Sequence, residues 1–136
     1  MMRLDHDVIA ALVAEARSAQ ARAYVPYSKF PVGAALLVSD GSVITGCNVE
    51  NASYPLGLCA ERGAVAAAVA KGYRKFLAVA IVGSGDRPLT PCGGCRQVLS
   101  EFGDLVVIAA ADPEVAPRTM SLSHLLPESF GRENLT

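Results

Sequence analysis

Three stretches of this chain are apolar nearly throughout, without alternation: Val32 to Val38, Phe76 to Val82 and Leu105 to Ala111. Successive side chains of a strand point to opposite faces, so a strand with one wet face alternates apolar and polar residues. A strand that is apolar at every position is buried on both faces, and helices must then cover both sides of its sheet. The rest of the chain offers such helices. From Asp5 to about Ala23 the residues Val8, Ile9, Leu12, Val13 and Ala16 recur at helical spacing, with Asp5 or Asp7 to cap the start. Cys59 to about Lys71 is dominated by alanine and stops at Gly72, and Cys92 to Phe102 stops at Gly103. Asp40-Gly41 reads as a hairpin turn into Val43-Ile44, and Met120 to Leu126 as a strand end with a short helix. This order predicts an α/β fold, a three-layer α/β/α sandwich with a mixed sheet of about five strands.

The chain has 136 residues, 51% of them hydrophobic and 18% charged, which favours one well-buried domain spanning 1–136 over disorder. Its formal net charge is −1 and it has no Lys/Arg block. Binding to a nucleic-acid polymer rests on neutralising phosphates, so the balance argues against such a partner and fits a small, near-neutral one. No apolar run reaches membrane-spanning length. Residues Met1 to Asp7 carry acids where a secretory signal needs an apolar core. The expected location is cytoplasmic, where the four cysteines stay reduced and metal binding is favoured over disulfides.

Cys59-Ala60-Glu61 and Pro91-Cys92-Gly93-Gly94-Cys95 carry the chemistry. Cys92 and Cys95 stand on one side of a first helical turn, and Cys59 opens another helix. A structural zinc is closed by four protein ligands, whereas a catalytic zinc keeps three and leaves the fourth position to water. Three thiols beside an acid therefore point to one zinc ion per chain that activates water. Helix N-termini present positive charge and favour thiolates. Three thiolates on Zn²⁺ still leave a net −1, so Arg62 and Arg96, each directly after a motif residue, are candidates to offset it through hydrogen bonds to sulfur. If Cys59 sits at the non-helical start of its helix, Glu61 can lean over the open position and move a proton. Two blander readings compete. Cys92-x-x-Cys95 alone suits a redox dithiol, and Cys47 would close a purely structural site, although a buried thiol ending a strand is its commoner role. His6 and His124 read as surface or helix-end residues.

Four blocks in order carry a resemblance: Pro26-Tyr27-Ser28-Lys29-Phe30-Pro31-Val32-Gly33-Ala34-Ala35, Gly46-Cys47-Asn48-Val49-Glu50-Asn51-Ala52-Ser53-Tyr54, Cys59-Ala60-Glu61-Arg62, and Pro91-Cys92-Gly93-Gly94-Cys95-Arg96-Gln97-Val98. From Tyr24 to Phe130 the chain resembles the cytidine deaminase family in its small homotetrameric, three-cysteine form. The resemblance implies hydrolytic deamination of cytidine and 2′-deoxycytidine in pyrimidine salvage, with zinc-bound hydroxide attacking C4 and Glu61 as proton shuttle. It implies ribose contacts from Asn48 and Glu50, base contacts from Phe30 and the backbone of Ala60, and Tyr54 near subunit contacts. It also implies that Phe130 caps a neighbouring subunit's site and that Gln97 steadies the zinc helices. Pro55-Leu56-Gly57-Leu58 departs from the Gly-Leu-Thr-apolar pattern common in the family, which bears on tolerance at pyrimidine C5. A deaminase of another aminopyrimidine, a polynucleotide deaminase and a chemically silent zinc module are the rival readings. The chain has no Trp and only 6% aromatic residues, too few for the stacking platforms that a single-stranded polynucleotide needs.

Overall fold

The computed structural model describes residues 4–135. Met1 to Arg3 of the acidic N-terminal stretch lie outside the described residues. The elements run α1 (His6–Gln20), β1 (Gly33–Val38), β2 (Val43–Cys47), α2 (Ala60–Ala70), β3 (Phe76–Val82), α3 (Gly93–Ser100), β4 (Val106–Ala110), β5 (Arg118–Ser121) and α4 (Leu122–Leu125), with 3-10 turns at Tyr54–Leu56 and Arg132–Asn134. The five strands lie side by side in the order β2-β1-β3-β4-β5. Only β3 and β4 are parallel; β1 is antiparallel to both its neighbours, and β5 to β4. The expected three-layer sandwich with a mixed five-stranded sheet is what forms.

Alternate residues of the central strands feed two cores. Ala35, Ala78, Ala80, Val82, Val106 and Ile108 face α1 through Leu12 and Ala16. Ala34, Leu36, Val79, Ile81 and Val107 face the opposite side, where Ala60, Ala64, Ala68 and Leu99 cover them from α2 and α3. This double burial is why the strands are apolar at every position although β1 has no parallel neighbour. The hairpin at Asp40-Gly41 forms as expected: Gly41 takes φ +90°, and Asp40 Oδ1 accepts from the Ser42 amide at 2.9 Å.

Each long helix is shorter than its sequence signal. α1 begins after Asp5, whose carboxylate caps the Val8 amide at 2.9 Å, and α2 and α3 begin after Cys59 and Cys92, which adopt extended backbone. β5 starts earlier than the apolar signal at Met120 because its first residues, Arg118 and Thr119, lie exposed on the sheet edge.

A glycine sets the spacing between the sheet and the helix that follows Cys59. A Cβ on Gly46 would collide with the Ala60 carbonyl oxygen and come within 2.6 Å of the Ala64 amide nitrogen. Gly46→Ala is therefore expected to push the first turn of α2 off β2 and to lower stability by about 1–3 kcal/mol, the usual cost of overpacking. Thermal melting together with metal content checks this; an unchanged midpoint with full zinc would show that the contact does not set the helix position.

Candidate functional site

β2 and β3 run in the same direction, since each is antiparallel to β1, and β4 is parallel to β3. The helices that follow β2 and β3 therefore begin at one end of the sheet, beyond the carboxyl ends of these strands, where α/β folds bind their ligands. Cys59 occupies the position before α2, at φ −73° and ψ 152°, and Cys92 the position before α3, at φ −66° and ψ 169°. Cys95 is the third residue of α3 and is fully buried. The three sulfurs lie within 4.8 Å of one another. A tetrahedral zinc with Zn–S bonds of about 2.3 Å separates its sulfurs by about 3.8 Å, so the cluster needs only a small contraction to hold the ion. Among the described residues no other group of His, Cys, Asp or Glu could hold a metal; Cys47 ends β2 outside the cluster, and His6 and His124 belong to none. The donor set is three thiols and leaves a fourth tetrahedral position to a non-protein ligand, the arrangement of a catalytic centre.

The thiols differ in their acidity. Cys92 is held below the ordinary thiol value, chiefly because its sulfur accepts from the Cys95 amide and also from that of Gly94. Cys59 is pushed up, chiefly by burial, against the opposing pull of a hydrogen bond with the Cys95 side chain and, least, of the Arg62 charge, and Cys95 is pushed far up by burial and then by the Glu61 carboxylate. The expected lowering by helix N-termini thus holds for Cys92 alone; for Cys59 and Cys95 the loss of water outweighs it. A divalent ion reverses this balance, since a coordinating thiol is deprotonated outright.

Glu61 is only 6% exposed, and among the described residues it is the one buried charged side chain. Burial raises its pKa, while a hydrogen bond from its own backbone amide and then one with the Cys95 side chain lower it by less. It lines a cavity of about 170 Å³ with Cys59, Cys92, Ala60, Phe30, Val32, Asn48, Leu89 and Thr90. Leu89 and Thr90 carry no motif signal of their own; their place directly before Pro91-Cys92 is the one sequence cue to them. Gly83 carries none either, yet it backs this wall: a Cβ there would come within 2.8 Å of Leu89 and 3.2 Å of Phe30.

Asn48 and Glu50 are tied to the loop they face. Asn48 accepts from the Val32 amide at 2.8 Å and donates to the Phe30 carbonyl at 3.0 Å. Glu50 Oε1 accepts from the amides of Tyr27 and Ser28 at 3.0 and 3.1 Å, and its carboxyl is held below the usual range, first by the Ser28 hydroxyl. Glu50 and Tyr54 line a separate cavity of about 320 Å³ with Tyr27, Ser28, Asn51 and Gly57 rather than the one holding the sulfurs. Gly57 has φ −61°, so the departure at Pro55-Leu58 does not use glycine's special freedom. Phe130 lines neither cavity and is 59% exposed; Gln97 Nε2 donates to its carbonyl at 3.0 Å. Arg62 is exposed beside Cys59. Arg96 differs from its expected role: its guanidinium donates to the Pro91 carbonyl, the Leu125 carbonyl and Thr90 Oγ1 rather than to a sulfur.

Residues 7–111 match the family described as the cytidine and deoxycytidylate deaminase zinc-binding region. The cytidine deaminase of Sporosarcina psychrophila is 46% identical over 128 residues, covering 92% of this chain and 93% of the relative. That of Mycobacterium tuberculosis is 52% identical over 120 residues, covering 88% of this chain and 87% of the relative. The crystal structure of cytidine deaminase from Burkholderia pseudomallei superposes with a TM-score of 0.85 at 47% identity, covering 93% of this chain and all of that one. With its three cysteines gathered for a zinc ion at the meeting point of two helix starts, the chain belongs to the cytidine deaminase family of zinc-dependent hydrolases.

Proposed function

We propose that this chain, acting as one catalytic domain over 1–136, converts cytidine and 2′-deoxycytidine to uridine and 2′-deoxyuridine with release of ammonia. The observation that carries this reading is the buried Glu61 carboxylate sharing a cavity of about 170 Å³ with the sulfurs of Cys59 and Cys92, in front of the buried Cys95. Cys59, Cys92 and Cys95 would hold the zinc, which would supply the Lewis acidity that activates a water molecule. Glu61 removes a proton from that water, and the burial that raises its pKa makes it the stronger base for the task. The water oxygen bonds to C4 of the pyrimidine while Glu61 delivers its proton to N3. Glu61 then takes the remaining proton from the hydroxyl added at C4 and passes it to the amino group; the C4–N bond breaks as the C4=O bond forms, and ammonia leaves. Arg62 offsets part of the thiolate charge from beside Cys59.

The cavity is sized for a pyrimidine ring rather than for a polymer. Phe30 and Leu89 provide an apolar wall for the base, and the backbone of Ala60 meets its polar edge. Asn48 and Glu50 stand at the side where a ribose would lie, each fixed by its bonds to the 27–32 loop. With Oε1 of Glu50 engaged by two amides, the negative Oε2 suits a neutral hydroxyl and repels a phosphate, which selects nucleosides over nucleotides. A homotetramer is part of the reading. Tyr24, Tyr54, Leu56 and Phe130 are each more than half exposed, an apolar surface that suits subunit contacts with the sites at the interfaces. Cytoplasmic pyrimidine salvage is the setting such a nucleoside hydrolase fits. Among the described residues no helix is long and apolar enough to cross a membrane.

Four measurements test this reading. The zinc-loaded protein should abolish the ultraviolet signal of cytidine while sparing free cytosine and a cytidine nucleotide. In the same assay Glu61→Ala should keep its zinc and lose about 10²–10⁴-fold in turnover. Retained turnover in that variant would remove Glu61 from the mechanism. Cys92→Ala should lose both metal and melting temperature, because the ion ties two helices; a metal-replete variant with the parental midpoint would contradict the ligand assignment. Truncation before Phe130 should raise the apparent KM for cytidine if the ring covers a neighbour's site, and unchanged kinetics would reduce that residue to an anchor.

A further inference from the structure

Two consecutive side chains of the metal-bearing helix grip two separate points of the C-terminal segment. Arg96 Nη1 donates to the Leu125 carbonyl at 2.9 Å, at the end of α4, and Gln97 Nε2 donates to the Phe130 carbonyl at 3.0 Å. The same guanidinium reaches in the other direction. Its Nε donates to the Pro91 carbonyl at 2.7 Å and its Nη2 to Thr90 Oγ1 at 3.3 Å, so it holds the two residues that lead into Cys92. A guanidinium is a rigid planar fork, and three acceptors fixed on one fork move together. The Leu125 carbonyl is one of the orphan acceptors at a helix C-terminus, which gives this contact a partner that the helix itself cannot supply.

The three metal ligands are unequally protected. Cys95 is buried, Cys59 half-buried and Cys92 exposed. In the single chain Cys92 is thus the sulfur most open to water or a competing ligand, and the residues directly before it, Thr90 and Pro91, are the ones Arg96 holds. We propose that Arg96 and Gln97 latch the C-terminal segment Leu125–Phe130 to the metal-bearing helix, and that the latched segment thereby slows the escape of zinc. Arg96 and Gln97 are positioning residues in this device; neither touches substrate. The coupling is reciprocal, so whatever loosens the tail loosens Cys92, and a settled metal helix in turn keeps Phe130 in place.

The test follows zinc release from the loaded protein into excess chromogenic chelator, a readout that needs no turnover and is independent of the substrate assignment. Gln97→Ala, and separately a chain ending at Ser129, should each release zinc about fivefold faster than the parent, the consequence of losing one net hydrogen bond. The truncation removes the Phe130 carbonyl, so Gln97→Ala placed in the truncated chain should add nothing further. Effects that instead multiply would mean that the side chain and the tail act separately, and would overturn the latch. Hydrogen exchange of residues 126–135 in loaded Gln97→Ala should be faster than in the parent; equal protection would also overturn it. The cobalt-substituted variant should keep the parental thiolate-to-metal absorption, whereas a shifted spectrum would mean that Gln97 shapes the ligand set directly and that no latch is needed. Arg96→Lys, which loses the fork but keeps the charge, should release zinc faster still. A parental rate in a folded Arg96→Lys protein would show that charge alone is the contribution of Arg96.

Discussion

At Gly46 the backbone of β2 lies so close to Ala60 and Ala64 that no Cβ fits between strand and helix. That approach sets where α2 begins, and with it where Cys59 and Glu61 stand. α3 begins beside it because the β3-to-β4 crossover returns parallel to β3 and brings its helix down on the same face of the sheet. Two helix starts are thereby pressed together at one end of the sheet. The sulfurs they carry come within 4.8 Å of one another. The alanines that dominate α2 belong to the same constraint, since larger side chains at 60, 64 and 68 could not be buried at this spacing.

Burial at this junction sets two opposing tendencies. It raises the pKa values of Cys59, Cys95 and Glu61, all of which resist charge in a dry site. A divalent cation held by the three thiols would resolve the conflict for them by replacing their protons. Glu61 keeps its raised pKa through its own burial, in the cavity that Cys59 and Cys92 also line. The helix N-termini matter less than their number suggests. Only Cys92, the most exposed of the three, is pulled down by backbone amides, because there burial costs the thiolate little.

Several polar side chains near the site serve the protein before any substrate arrives. Asn48 holds the 30–32 backbone, Glu50 collects two amides of the 27–28 turn, and Arg96 joins the Thr90-Pro91 loop to the end of α4. Each fixes a loop that bounds the cavity. The preorganisation lies in these loops, and of the three side chains Asn48 alone also lines the cavity that holds the sulfurs. This double use explains why motif residues that look like substrate contacts in the sequence are also hydrogen-bonded when no substrate is there.

The sequence by itself determined the layered fold and the identity of the chemical groups. Double burial demands uninterrupted apolar strands, and thiols beside an acid at helix starts are local patterns that a linear reading can see. It also marked Cys59 as a non-helical start, since Cys59 and Glu61 could not otherwise face the same ion. The tertiary structure decided the rest. The edge strand from Arg118 carries no periodic signal because none of its four residues is buried: Arg118 and Thr119 are exposed, Met120 and Ser121 only partly covered. The targets of Arg96 and Gln97 lie 29 and 33 residues further along the chain, and no spacing rule connects them. The same holds for Gly83 behind Phe30, and for the placement of Tyr54 and Phe130 outside the metal cavity. Those outcomes depend on which surfaces the sheet brings together, and hydrogen bonds between distant segments are chosen only once packing has fixed the distances.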